Sequence, residues 1–193
     1  QGELRDAVYD EDAPFAPSPG RIKRVSINEE VAAAANRGIR TVVLCPSLIY
    51  GEGLGVNKDS MQVPWLLAVA RKYGIAKHIG PGSNIWSNVH ICDVADLYGL
   101  ALANAPAGSF YFAENGENSM REVCETINTM MGVEVYPQSM SIFEAAQEWG
   151  EGAANHTMGS NSRVRAKRSR SELGWSPAGM SLIEEIRSGC YAD

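Results

Sequence analysis

An α/β fold is what this sequence predicts, and three observations carry the prediction. Thr41–Cys45 is a continuous apolar run rich in β-branched residues, fed by an alanine-rich helical stretch and stopped by Pro46. Such a run reads as a strand of a parallel sheet, buried on both faces. Helical periods and short apolar runs then alternate along the chain, the pattern of helices layered on a sheet. Three Ser-x-x-Glu sequences, Ser119–Glu122, Ser141–Glu144 and Ser181–Glu184, precede helical patterns and mark helix starts. Ligands of open α/β sheets lie beyond the carboxyl ends of the strands, so Pro46 to Tyr50 is where chemistry is expected to face.

Residues 1–20 carry five acidic residues and three prolines without a period, which predicts an exposed connector. A helix is expected over Arg21–Arg37, with Ile27, Val31 and Ala34 or Ala35 as its buried stripe and Gly38 just past its end. The strand at 40–45 follows. Gly51, Gly53 and Gly55 do not form a dinucleotide loop, because such glycines must open a helix directly after the strand. The next helix starts only near Val63–Pro64; Leu66, Val69, Ala70 and Tyr73 share one face and Gly74 ends it. Short strands are expected at 75–79 and 88–91. Asp93, supported by Asp96, is expected to cap a helix whose buried stripe is Val94, Leu97, Ala101 and Leu102. Ser109–Ala113 is a strand of alternating aromatics. The helix after Ser119 buries Val123, Ile127 and Met130 and stops at Gly132, and a strand is expected at 133–136.

Composition narrows the function classes. The chain has 193 residues, 45% hydrophobic and 21% charged, an ordinary globular mix. A net charge of -6 argues against nucleic acid as a partner. No run approaches the roughly 18 apolar residues of a membrane span, and no signal peptide opens the sequence. The four cysteines are scattered without CxxC pairing, which suits free thiols in a reducing cytoplasm. His78, His90 and His156 lack metal-ligand spacing, so no metal is expected, and His90 reads as a hydrogen-bonded structural histidine.

At this point the motifs carry a resemblance. CPSLIYGEG is similar to the segment after the sixth strand of extended short-chain dehydrogenases/reductases, where Arg-Pro-x-x-Val-Tyr-Gly is usual. SNVHICDVADLYGLAL, GSFYFAENGENSMREVCETI and SRSELGWSP resemble that family's following helix start, its seventh strand with loop and helix, and its late Leu-Gly-Trp-x-Pro turn. NIWSNVHICDVADLY and GSNSRVR look like an atypical NAD-dependent epimerase/dehydratase-like subgroup. The resemblance implies the C-terminal part of a Rossmann-type NAD(P)-binding fold plus the substrate-binding subdomain. Residues 1–50 would end the Rossmann domain, and 51–92 would belong to the substrate subdomain. Residues 93–118 would return to the sheet, and 119–193 would complete the substrate subdomain. The glycine-rich loop and first five strands would lie ahead of Gln1, which fits a sequence that does not begin with Met.

Site expectations follow from the same resemblance. Pro46, Ser47 and Ile49 match positions that line the nicotinamide of NAD or NADP. Tyr50, Trp86, Asn88, Arg163 and Arg165 fall where substrate contacts are expected. The Tyr-x-x-x-Lys pair that moves the proton in this family projects to about Arg21 or Ile22 and Val25 or Ser26, and neither residue type is there. The catalytic residues are therefore open. Trp86, Ser87 and Asn88 stand where nucleotide-sugar enzymes carry Arg-Asp-aromatic, and an indole cannot replace a bidentate guanidinium. A small, apolar or aromatic substrate is expected rather than a nucleotide sugar. Arg163, Arg165, Lys167, Arg168 and Arg170 crowd together, as a solvated face, against an acidic neighbour, or as an anion contact. The expected activity is that of an NAD(P)-dependent epimerase, dehydratase or reductase, with this chain inactive alone. The alternative is a non-catalytic dinucleotide sensor of the same fold. A homodimer through helix 21–37 is also implied.

Overall fold

The computed structural model describes residues 1–56 and 58–192. A 3-10 turn, Pro19–Arg21, leads into α1 (Ile22–Ala33), and a second one, Ala34–Arg37, ends on Gly38 at φ 78°. Then come β1 (Val42–Pro46), β2 (Leu48–Tyr50), α2 (Gln62–Tyr73), β3 (Lys77–Ile79), β4 (Ile85–His90) and α3 (Ile91–Asn104). The chain continues with β5 (Ser109–Ala113), β6 (Glu117–Ser119), α4 (Met120–Met130), β7 (Gln138–Met140) and α5 (Ile142–Trp149). α6 (Glu151–Ala153) runs into a π-helical turn, Ala154–Met158, before α7 (Lys167–Leu173) and α8 (Leu182–Ser188).

Among the described residues the strands form three small sheets. β1 and β5 pair in parallel, from Val42 opposite Ser109 to Pro46 opposite Ala113. β2 pairs in parallel with β4, which pairs antiparallel with β6, and β3 pairs in parallel with β7. Ser47 makes the passage from the first sheet to the second. Its backbone N–H and its hydroxyl both donate to the Ala113 carbonyl, at 3.0 and 2.9 Å. Two hydrophobic clusters lie beneath the sheets. One gathers Leu66, Val69, Val123, Ile127 and Ile186 from α2, α4 and α8; the other gathers Val94, Leu97, Tyr111, Leu173 and Trp175 around α3.

Several elements depart from expectation for local reasons. Ile27 and Val31 are 53% and 39% exposed, while Val25, Asn28, Ala32 and Ala35 turn inward. A Cβ on Gly108 would lie 3.0 Å from the Ala32 carbonyl and 3.2 Å from the Ala35 methyl. This close approach admits the alanines and excludes branched side chains. α3 is capped by His90, whose Nδ1 accepts from the Cys92 N–H at 3.2 Å, and not by Asp93. Asp93 is buried three residues inside the cap, where its carboxylate accepts from the N–H groups of Ala178 and Gly179. The strand before it is Ile85–His90, starting earlier than the sequence suggested.

Residues 133–136 form no strand; Val135 and Tyr136 are exposed, and β7 begins two residues later. The buried Asn128 side chain explains this. Its amide donates to the Val135 carbonyl and its oxygen accepts from the Ala76 N–H, so one side chain satisfies groups a ladder would otherwise need. The Ser141 and Ser181 capping boxes are complete, whereas Ser119 makes only its own half, accepting from the Glu122 N–H. Residues 1–18 are tied down. Gly2 and Tyr9 bond to Gly159, Asn84, Arg163 and Arg165 through the backbone, and Tyr9 forms a β-bridge with Val164.

The sequence placed Leu97 and Leu102 on one buried stripe, yet Leu97 is 0% and Leu102 76% exposed. Leu97→Ala is expected to cost about 2–5 kcal/mol of unfolding free energy. Leu102→Ala should stay within about 0.5 kcal/mol of the parent. Urea denaturation of the two variants checks this.

Candidate functional site

A cavity of about 1010 Å³ opens where α1, β1 and β5 meet the segment Asn155–Val164, and residues of the N-terminal segment complete its wall. Alternation along β5 builds the apolar side. Phe110 and Phe112 face the cavity with ring centroids 5.1 Å apart, edge to face, while Tyr111 between them is fully buried in the opposite direction. Tyr9 and Phe15, a second edge-to-face pair at 6.5 Å, line it from the N-terminal segment. Trp86 adds an indole held by its Nε1–H, which donates to the Ser160 carbonyl at 2.8 Å.

α1 supplies the polar side. Arg21, Arg24, Val25 and Asn28 recur at helical spacing and line the cavity. Among the described residues, neither the Arg21 nor the Arg24 guanidinium has a hydrogen-bond or ion-pair partner. Cys45 lies at the floor, near the carboxyl end of β1. Burial pushes its thiol above the ordinary value, and the Arg24 charge opposes that rise.

The structure scatters the residues singled out from sequence. Pro46 closes β1 opposite Ala113, Ser47 is pinned to Ala113, and Ile49 packs in β2 beside the α3 cluster. Their neighbour Cys45 reaches the cavity wall and they do not. Tyr50 is fully buried, its hydroxyl donating to the Met180 carbonyl at 2.8 Å and its ring 5.5 Å from that of His90. Burial raises its phenol well above the usual range. It therefore packs and anchors, and no ligand reaches it. Asn88 is likewise buried; its side-chain amide donates to Asn118 and its backbone bonds to Asn115 and Gly116.

Trp86 and Arg163 do line the cavity, but Arg163 is already paired. It makes a two-pronged contact with Glu117 at 2.6 and 3.1 Å, and Arg165 adds a third bond at 3.0 Å. Hydrogen bonds from Arg163, then Arg165, pull the Glu117 carboxyl down to about 2. The neighbouring cations also meet acidic partners: Lys167 and Arg168 pair with Asp12, and Arg170 lies 3.6 Å from Glu114 and stacks on Trp175. His90 gives Nδ1 to the Cys92 N–H, and its Nε2 lies 3.2 Å from the buried Glu185 carboxylate. That histidine is structural. Sequence reasoning missed Arg21, Arg24, Cys45, Phe110 and Phe112 as wall residues. The alternation of SFYFA and the three-residue spacing of the arginines were the available signals.

No protein-family model matches the chain. The fold belongs to a clear class: it is that of the extended short-chain dehydrogenases/reductases of the NAD-dependent epimerase/dehydratase type. Among solved structures, dTDP-glucose 4,6-dehydratase from Bacillus anthracis in complex with NAD superposes with a TM-score of 0.71 at 19% identity. It covers 98% of this chain and 56% of its own. UDP-glucose 4-epimerase from Thermotoga maritima, with UDP-glucose, gives 0.72 at 16% identity, covering 99% and 59%. RMD from Pseudomonas aeruginosa, complexed with NADPH, gives 0.66 at 19% identity, covering 99% and 62%. By sequence, an uncharacterized protein of Schizosaccharomyces pombe is 29% identical over 182 residues, 93% of this chain and 57% of the relative. The 2-alkyl-3-oxoalkanoate reductase of Stenotrophomonas maltophilia is 33% identical over 153 residues, 75% of this chain and 43% of the relative. The chain thus spans about half the length of the curated relatives it matches.

The Glu117 pairing makes a pH-dependent contribution. A carboxyl held below its unfolded value of about 4.3 stabilises the fold above that pH, and the effect is lost as pH falls toward 2. Glu117→Gln is expected to cost about 1–3 kcal/mol at pH 7. The gap to the parent should narrow steadily between about pH 4.5 and pH 2 in chemical denaturation curves.

Proposed function

We propose that the protein is an NAD(P)-dependent oxidoreductase of the epimerase, dehydratase or reductase kind, and that this chain provides one wall of its cofactor site together with the substrate pocket. The observation that carries the reading is the cavity itself. It opens by the carboxyl end of the parallel β1–β5 pair, where ligands of such sheets bind. The face of α1 that would carry the family's proton-transfer pair turns toward it. The residues present fit the nicotinamide end of the cofactor, with Cys45 at the end of β1 on one side and α1 on the other. Among the described residues no glycine-opened helix follows a strand to cradle a pyrophosphate. Bound there, the nicotinamide would accept or donate hydride. The chain's own residues would seat the substrate against Trp86 and the β5 phenylalanines and exclude water from it.

A small substrate other than a nucleotide sugar is part of the proposal. Trp86 occupies a place where a diphosphate-binding arginine would be needed, and Arg163 and Arg165 are already paired with Glu117. The reductase relative, named for a 3-oxoalkanoate, lends support to an apolar oxo substrate. No helix among the described residues is long and apolar enough to cross a membrane, and the four free thiols suit the cytoplasm. One observation favours a second reading. Arg21, Ile22, Val25 and Ser26 offer neither phenol nor ammonium, as a dinucleotide sensor without turnover would.

Absorbance at the nicotinamide band separates the two. Joined to a dinucleotide-binding half, the protein should oxidise NADH or NADPH with an apolar carbonyl compound, while the 193-residue chain alone should not. Calorimetric binding of NAD(P) with no turnover across a carbonyl panel would instead support the sensor.

A homodimer through α1 belongs to the same proposal, supported by the exposed Ile22, Ile27 and Val31 on that helix. Ile27→Glu combined with Val31→Glu should shift the particle to monomer in light scattering, with the far-UV spectrum unchanged.

A further inference from the structure

Two guanidinium groups, those of Arg21 and Arg24, stand three residues apart at the start of α1 and line the cavity together. Arg163 and Arg165 are taken by Glu117, and Arg168 by Asp12. Arg40 and Arg121 donate to backbone carbonyls of Ala101, Ala105 and Pro81. Arg21 and Arg24 line a concave, aromatic-walled space and have no partner among the described residues. A cation pair left open inside a cavity is an electrostatic site for an anion.

Glu3, Asp10, Glu11 and Glu29 also line the wall, and none of them forms an ion pair with Arg21 or Arg24. Glu11 accepts from the backbone N–H groups of Phe112, Lys167 and Arg168. Asp10 accepts from the Asp12 N–H. Glu29 lies five residues beyond Arg24, outside the three- or four-residue spacing that pairs side chains on a helix. Arg24 and Cys45 line the same cavity.

We infer that Arg21 and Arg24 form a carboxylate clamp, and that the cavity takes a planar aromatic or conjugated monocarboxylate whose apolar body lies against Trp86, Phe110 and Phe112. A guanidinium presents parallel donors that match a carboxylate's two oxygens. The edge-to-face phenylalanines offer ring faces and edges to a flat body. The space, about 1010 Å³, is at the upper end of small-molecule sites. Two adjacent guanidiniums favour a carboxylate, and Arg5, whose backbone N–H bonds to Asn161, is a further cation of the wall. This inference rests on the reading of the cavity as a substrate site, and it names the substrate's class.

Equilibrium dialysis of the 193-residue chain against 1-naphthoate and its neutral analogue 1-naphthamide, without cofactor, tests the clamp. The acid should bind at least about tenfold more tightly than the amide, a difference of about 1.4 kcal/mol. Added salt should weaken the acid and leave the amide unchanged. Arg21→Gln with Arg24→Gln should bring acid and amide within about twofold. Arg37→Gln, beyond the cavity on the following turn, should keep the preference. Equal binding of acid and amide, no detectable binding of the acid, or a preference that survives the double substitution overturns the inference. The comparison on the unaltered chain decides the matter if the double variant does not fold. Because no nicotinamide is present, these outcomes are independent of hydride transfer. An anion preference without turnover would sink the oxidoreductase reading and leave the clamp standing.

Discussion

One carboxylate holds the cavity in shape. Glu11 accepts from the Phe112 N–H at 3.0 Å through one oxygen, and from the Lys167 and Arg168 N–H groups at 3.1 and 3.2 Å through the other. Those last two donors open α7, whose own N-cap, Ala166, has no side chain able to accept. The helix therefore borrows its cap from a residue more than 150 positions away. The same contact fixes the N-terminal segment against β5, and the adjacent Asp12 adds ion pairs to Lys167 and Arg168. Together with the Tyr9–Val164 bridge it keeps Tyr9 and Phe15 in the wall that also carries Phe110 and Phe112.

This arrangement explains what could and could not be read from the sequence. The α/β class, the α2 helix with its Gly74 stop, the β5 strand and the helix starts at Ser119, Ser141 and Ser181 were legible, because each rests on chemistry within a few residues. The N-terminal segment was legible as an exposed, irregular connector, and its attachments were not, because their partners lie at the other end of the chain. β2 was also missed, since Leu48–Tyr50 is too short to show a period and is defined by its pairing with β4. The buried side of α1 was misjudged for a related reason. Ile27 and Val31 look like core residues, but the approach of Gly108 selects the alanine face.

The site shows the same division. Trp86 was found because its neighbourhood matches a motif, and it does line the cavity. Tyr50 and Asn88 match the motif equally well, yet one anchors Met180 and the other Asn118. A motif aligns positions along the chain and does not state which way a strand's side chains point. Arg163 and Arg165 illustrate the complementary limit. They are cations in a promising place, and only the fold reveals that Glu117 sits between them, its carboxyl held near 2. Arg21 and Arg24 carry no motif at all and emerge from helical geometry alone.

β1 has a further consequence. It pairs with β5 along one edge, and no other strand of the described residues lies along its second edge. Val42, Val43 and Leu44 are only partly buried, and the proline that would blunt the edge comes at its last position. An open row of backbone donors and acceptors beside apolar side chains is a template for another extended segment. If a cognate strand pairs there, the sheet grows and the cavity gains a lateral wall. If none does, the open edge is a liability for pairing with another chain.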